Sequence, residues 1–396
     1  MSEHYHFDQI LNRSNTDSLK WDWMNKFLPK APKDALPLWV ADMDFPVAEP
    51  ILQSLRTCLD RNIFGYSYYR SEAYLDAVTG WFKRKFDWVI DPQSIYYSPG
   101  VVPAIGMLIR LLTAPDDAII IQRPVYYPFT DKIINNGRQV VNNPLKIQNG
   151  RYEMDFENLE AHLKNPEIKG LILCSPHNPV GRVWTPDELE HVVELCKTYD
   201  KWIISDEIHG DLTRKSVTHY PLEVLCPDYK HKIITCTAPS KTFNLAGLHL
   251  SNIIINDPDL RTRWTEEIDG RLSVGMASPF AIVAAISAYN EGDFWLEQLK
   301  DYLDGNIRFV SEFFSTHLPK AIVYETEGTY LVWVDLSHYE SDPVKLESLM
   351  LQKAKVALDE GYFFGPEGNG FERLNVACPR ETLEKALNSM KTAILR

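Results

Sequence analysis

Lys232-Ile233-Ile234-Thr235-Cys236-Thr237-Ala238-Pro239-Ser240-Lys241-Thr242-Phe243-Asn244-Leu245-Ala246-Gly247 passes from an apolar run into a lysine. The first six residues, rich in β-branched side chains, read as a buried strand, and Pro239 marks its end. Lys241 is therefore presented just beyond a strand. Two upstream runs end in the same way. Leu171-Ile172-Leu173-Cys174-Ser175 leads into Pro176-His177-Asn178-Pro179-Val180-Gly181, and Trp202-Ile203-Ile204-Ser205 leads into Asp206-Glu207-Ile208-His209. An amide, a carboxylate and an amine thus emerge from successive strand ends.

Taken singly, each of these segments has an ordinary reading. Ser-Lys is a common solvated pair, Asn-Pro a common turn, and Asp-Glu at a strand end a common helix cap. In this order they suit one ring, that of pyridoxal phosphate (PLP). The Lys241 amine can condense with its aldehyde and later move a substrate proton. The Asp206 carboxylate can hold a proton on the pyridine nitrogen and keep the ring electron-poor. The Asn178 amide can donate to the phenolate oxygen. A charge-assisted hydrogen bond of the Asp206 kind contributes roughly 1.5–3 kcal/mol.

The phosphate calls for donors. Ser98-Pro99-Gly100-Val101-Val102 precedes a helical stretch to Leu112. Free amides of Gly100, Val101 and Val102 at that helix start, with the helix dipole, make an anion site, and the Ser240 hydroxyl can add to it. Strand and helix patterns alternate along the chain, which predicts an α/β fold with a mainly parallel sheet. The segment after Gly181 shows the local logic. Thr185-Pro186-Asp187-Glu188 supplies an N-cap, a first-turn proline and a capping-box glutamate. Leu189, Val192, Val193 and Cys196 then fall on one helical face. Phe280–Tyr289 reads as another buried helix, and 330–335 and 371–376 as strands in the tail.

Bulk properties predict a cytoplasmic enzyme with a substantial core: 396 residues, 45% hydrophobic, net charge −13. Such an acidic surface repels nucleic acid and anionic membranes, so neither is expected as a direct partner. No run approaches the ~20 apolar residues of a membrane helix, and Met1–Phe7 does not read as a signal peptide. The six cysteines show no Cys-x-x-Cys spacing and read as buried thiols of a reducing compartment. His4 and His6 read as part of an arm, and no metal site is expected.

The Asn-Pro-x-Gly, Asp-Glu and Ser-Lys-x-Phe-Asn segments, in that order, resemble those of fold-type I PLP enzymes, the aspartate aminotransferase superfamily. Leu38-Trp39-Val40-Ala41-Asp42-Met43-Asp44-Phe45-Pro46, Phe64-Gly65-Tyr66 and Cys174-Ser175-Pro176-His177-Asn178-Pro179 resemble more narrowly its cystathionine β-lyase (C–S lyase, MalY/PatB-type) branch. The likeness runs from about Phe7 to the C-terminus. It implies a large PLP-binding domain over 48–290, with 1–47 and 291–396 forming an N-terminal arm and small domain. It further implies a homodimer with shared active sites, Tyr66 reaching the phosphate from a partner subunit. Tyr126 is expected to stack on the ring, with Tyr127 as its rival, and Arg373 to clamp the substrate carboxylate, a task suited to a planar guanidinium. Val40 and Ala41 are expected beside the substrate.

Three features depart from the general aminotransferase pattern. Ala238 stands where serine is frequent, and His249 where an arginine often binds the phosphate. His209, three residues after Asp206, takes the place of a tyrosine. The resemblance then implies α,β-elimination of cystathionine, cysteine or cysteine S-conjugates, giving a thiol, pyruvate and ammonia. An aminotransferase is the first alternative. The second, a modulator of a transcription regulator by protein contact, has no support in the residues.

Overall fold

The computed structural model describes residues 4–396. Its centre is a seven-stranded sheet built from Ile95–Ser98 (β1), Ala118–Ile121 (β2), Gln139–Asn142 (β3), Ile168–Cys174 (β4), Trp202–Asp206 (β5), Ile233–Thr237 (β6) and Ser251–Ile255 (β7). The spatial order is β1-β7-β6-β5-β4-β2-β3. Neighbours from β6 to β3 run parallel, and β7 lies antiparallel to both β6 and β1.

The continuous apolar strand runs have a direct cause. Alternate residues on a strand point to opposite faces, and both faces are covered here. Ile172, Cys174, Ile204 and Ile234 enter one core, whereas Leu171, Leu173, Ile203 and Ile233 enter the other. A parallel sheet with helices on both sides needs this pattern. The Thr185 capping box forms as expected at Pro186–Thr198, whose Leu189, Val192, Val193 and Cys196 are buried.

A second sheet uses Ile322–Val323 (β8), Leu331–Asp335 (β9), Asp359–Glu360 (β10) and Phe371–Asn375 (β11), in the antiparallel order β8-β9-β11-β10. The 25-residue helix Asp293–His317 leads into it from the alanine-rich helix Pro279–Glu291. Leu36–Pro37 pairs in parallel with Val356–Ala357, which ties the N-terminal segment to the tail. All six cysteines are buried free thiols. Among the described residues, no helix is long and apolar enough to cross a membrane, and no cluster of His, Cys, Asp and Glu is suited to a metal.

Candidate active site

Parallel sheets concentrate their loops at the carboxyl ends of the strands, where ligands bind in α/β folds. A cavity of about 280 Å³ lies there. Segments following β1, β2, β4, β5 and β6 supply its wall: Gly100, Val101 and Val102, then Tyr126, Asn178, Asp206 and His209, then Ser240 and Lys241. Ala41 closes it from the N-terminal segment. Ten of the residues singled out in the sequence thus line one space.

Lys241 sits in the short helix Pro239–Thr242, one turn beyond β6, and its Nζ donates to the Ala41 carbonyl at 2.6 Å. Burial lowers the amine to about 8, with the Arg373 charge adding to the fall while Asp42 and Asp206 oppose it. A substantial fraction is therefore neutral base near physiological pH.

Asp206 ends β5 and faces the cavity, while Glu207 turns away from it to Ser205, His219 and the Leu222 N–H. The strand's two-residue period makes that choice. Among the described residues, Asp206 accepts one side-chain hydrogen bond, from the Ile208 N–H at 3.2 Å. Burial pushes its carboxyl up to about 7; the Glu207 charge adds to the rise, and Ile208 N–H and Lys241 pull the other way. A buried carboxylate this poorly partnered suits a cationic N–H from a ligand.

Arg373, on β11, is 2% exposed. Its Nη1 donates to Asn178 Oδ1 at 3.0 Å and its Nη2 to the Trp39 carbonyl at 2.9 Å and to Asp359. Its Nε has no partner among the described residues. By occupying Asn178 Oδ1, Arg373 leaves the amide NH₂ of Asn178 as the donor available to the cavity. His209 is buried with Nδ1 unpartnered among the described residues. Burial lowers it to about 3, helped by the Lys241 and Arg373 charges, so it is a neutral imidazole.

The helix Val101–Leu112 starts at Gly100 with no side-chain cap. Its first N–H groups are therefore free for an anion. Free helix amides and an underpartnered carboxylate sit with a lysine, an amide and an aromatic around one cavity, and this donor set fits PLP.

Several placements go beyond the sequence or against a simple reading of it. Tyr126 lines the cavity, whereas Tyr127 packs its ring 6.0 Å from Phe363 and 5.8 Å from Phe364. Val40 is adjacent to the wall, but its carbonyl accepts from Asn375 Nδ2 at 2.6 Å. Tyr66 does not reach the Lys241 cavity of its own chain; it is 97% exposed and lines a separate 730 Å³ hollow with Phe64 and Met276. Asp359, Tyr330 and Asn375 were not singled out in the sequence. Tyr330 donates to the Ala41 carbonyl at 3.0 Å, and Asn375 Nδ2 to the Asp42 carbonyl at 2.7 Å. Neither Asn375, in a strand run that also carries Glu372 and Arg373, nor Asp359 had a signal in the sequence.

The chain is similar along nearly its whole length to known proteins. Cystathionine beta-lyase PatB of Bacillus subtilis is 41% identical over 98% of this chain and 99% of its own. The crystal structure of cystalysin from Treponema denticola, which contains a pyridoxal 5'-phosphate cofactor, superimposes with a TM-score of 0.96 at 38% identity, covering 99% of each chain. The PLP-bound C–S lyase from Staphylococcus hominis gives 0.93 at 33% identity, covering all of this chain and 99% of that one. The family model for aminotransferase class I and II matches residues 34–390, a span that holds the strand-end amide, carboxylate and lysine, and the chain belongs to that family.

Proposed function

We propose that this chain is a PLP-dependent C–S β-lyase that acts on cystathionine, cysteine or related cysteine S-conjugates. The observation that carries this reading is the facing of Lys241 and Asp206 into one cavity from the ends of neighbouring strands. Likeness to C–S lyases along nearly the whole chain supports the reaction class.

Lys241 would hold PLP covalently, Asp206 its ring nitrogen, Asn178 its phenolate oxygen and Tyr126 a ring face. The amides of Gly100, Val101 and Val102, with Ser240, would hold its phosphate, and neutral His209 fills the wall beside them. When bound, the cofactor withdraws electrons from the substrate α-carbon, so that its proton becomes labile. The protein supplies the rest. Arg373, fixed by Asn178 and Asp359, binds the substrate carboxylate through charge-assisted hydrogen bonds. The Lys241 amine, freed when the substrate's own amine takes its place and with its proton affinity lowered by burial, would take the α-proton. Such positioned proton transfer contributes roughly 10²–10⁴-fold in rate. The β-thiolate then departs, and water hydrolyses the remaining three-carbon fragment to pyruvate and ammonia.

We further propose a homodimer in which Tyr66 serves the partner's phosphate site. Ile63, Phe64, Tyr66 and Tyr68 are more than half exposed beside Met276, an apolar expanse costly to leave in water. The division into 48–290 against 1–47 and 291–396 belongs to the same reading; the seven-stranded sheet falls in the first span and the four-stranded sheet in the last. The test is incubation of purified protein with cystathionine, with pyruvate, ammonia and homocysteine as the expected products.

A further inference from the structure

The turn from Asp206 to Gly210 has two sides. One side gives Asp206, Ile208 and His209 to the cavity. The other is anchored through the carboxylate of Glu207. Glu207 Oε1 accepts from Ser205 Oγ at 2.8 Å and from the Leu222 N–H at 3.1 Å, while Oε2 accepts from His219 Nε2 at 3.0 Å. Both side chains of the Glu207–His219 pair are 2% exposed.

The turn closes on the same histidine. The Gly210 N–H donates to the Glu207 carbonyl at 2.9 Å. A Cβ at Gly210 would lie 2.8 Å from His219 Cδ2, so the backbone rests directly on the imidazole ring. Phe86 packs edge-on against that ring at 5.5 Å. His219 is thus wedged between an aromatic and the turn. Asp211, the next residue, accepts from Thr242 Oγ1 at 2.7 Å, beside Lys241, and from Trp81 Nε1 at 3.0 Å.

We infer that Glu207 and His219 form a positioning unit that holds the Asp206 carboxylate in register with the cavity. The inference rests on the proposed function, because the group that Asp206 would meet is the cofactor's ring nitrogen. Among the described residues the Asp206 carboxylate has one hydrogen bond, which leaves its second oxygen without a fixing partner. Its orientation comes from the adjacent residue, whose carboxylate makes three bonds on the far face of the strand end. The Glu207 charge also adds to the proton affinity of Asp206. Loss of the carboxylate would strand the buried Leu222 N–H and His219 without a partner, and the turn would relax.

The experiment uses holoenzyme and two readouts that do not depend on elimination. These are the dissociation constant for PLP, from reconstitution of the apo-protein, and the midpoint of the pH titration of the visible absorbance. Glu207→Ala is expected to weaken PLP binding about tenfold, the loss of a hydrogen bond to a charged group. It should also shift the absorbance midpoint by about half a pH unit or more, and lower kcat more than it raises KM. Glu207→Gln, which can still bond Leu222, Ser205 and His219, should rescue most of each loss. If Glu207→Ala fails to fold, His219→Leu removes the partner from the other side and carries the same expectations. PLP affinity and absorbance midpoint unchanged in a folded variant would overturn the inference while leaving the proposed function intact. A wild-type chain that takes up no PLP would overturn both.

Discussion

Asn244 grips Met43 from both sides: its Oδ1 accepts the Met43 N–H at 3.1 Å, and its Nδ2 donates to the Met43 carbonyl at 3.0 Å. A third bond runs from Nδ2 to the Phe45 carbonyl at 3.0 Å. The lysine loop and the Trp39–Pro46 segment are therefore one unit, and Ala41 is delivered to Lys241 by it. Asn244 also has φ 58°, a left-handed conformation that asparagine tolerates and most residues resist. Asn244→Gly keeps the backbone freedom and removes the bonds, whereas Asn244→Ala loses both. Thermal unfolding should therefore rank wild type above Gly and Gly above Ala, with each step worth about 1–2 kcal/mol. Equal midpoints for the two variants would remove the backbone part of this account.

Asp206 yields a prediction about the apo-protein as well as the enzyme. Its carboxyl is raised from 3.8 to about 7 chiefly by burial, so the folded state resists its ionisation. The unfolded chain releases this proton first as pH rises. Stability should thus fall between about pH 4 and pH 7 and level off above that interval. Asp206→Asn should cancel that slope, leaving the apo-variant more stable than wild type at pH 8 and nearly equal at pH 4. Turnover should nevertheless fall by roughly 10²–10⁴-fold. Thermal scans of the two apo-proteins across this range check the first half, and steady-state kinetics the second.

A second acidic pair lies behind the substrate arginine. Across β10 and β11, Asp359 stands opposite Arg373 and Glu360 opposite Glu372. The first rung is an ion pair; the second sets two buried carboxyls face to face. Burial pushes Glu360 up to about 8, with Glu347 and Asp359 adding to the rise, and burial beside Glu360 raises Glu372 as well. Glu360→Gln should therefore gain thermal stability over wild type as pH rises from 4.5 to about 8. Midpoints measured at pH 5 and pH 8.5 would reveal the difference; a gain confined to pH 5 contradicts it.

The exposed Tyr66 leads to a complementation test. Lys241→Ala and Tyr66→Ala are each expected to lower activity when alone. In a mixed dimer one site carries both lesions and the other neither, so mixing under exchange conditions should restore part of the activity. Verified exchange without recovery would count against a shared site.

Much of the site was legible because strand ends leave local marks. The Ile233–Thr237 run, the Asp206-Glu207 alternation and the Thr185 capping box each depend on neighbours a few residues away. The choice between Tyr126 and Tyr127 was not legible. Both side chains leave the same short loop, and the Phe363 and Phe364 rings that draw Tyr127 aside lie more than 230 residues away. Asp359 was hidden for a related reason. It occupies a two-residue edge strand, too short for periodicity, and matters only through register with Arg373. Tyr66 shows a further limit: a single chain places it on the surface, and its proposed role needs a second copy.

Elimination at a site where Lys241 moves the proton can be measured on two proteins side by side. Purified wild type and Lys241→Ala are incubated with cystathionine and PLP, without added keto acid, and pyruvate, ammonia and homocysteine are quantified over time. Wild type is expected to give equimolar products over many turnovers, and a folded Lys241→Ala variant to lose turnover. Thiol release that persists without Lys241, or turnover that requires a keto-acid acceptor and releases no thiol, would contradict this expectation.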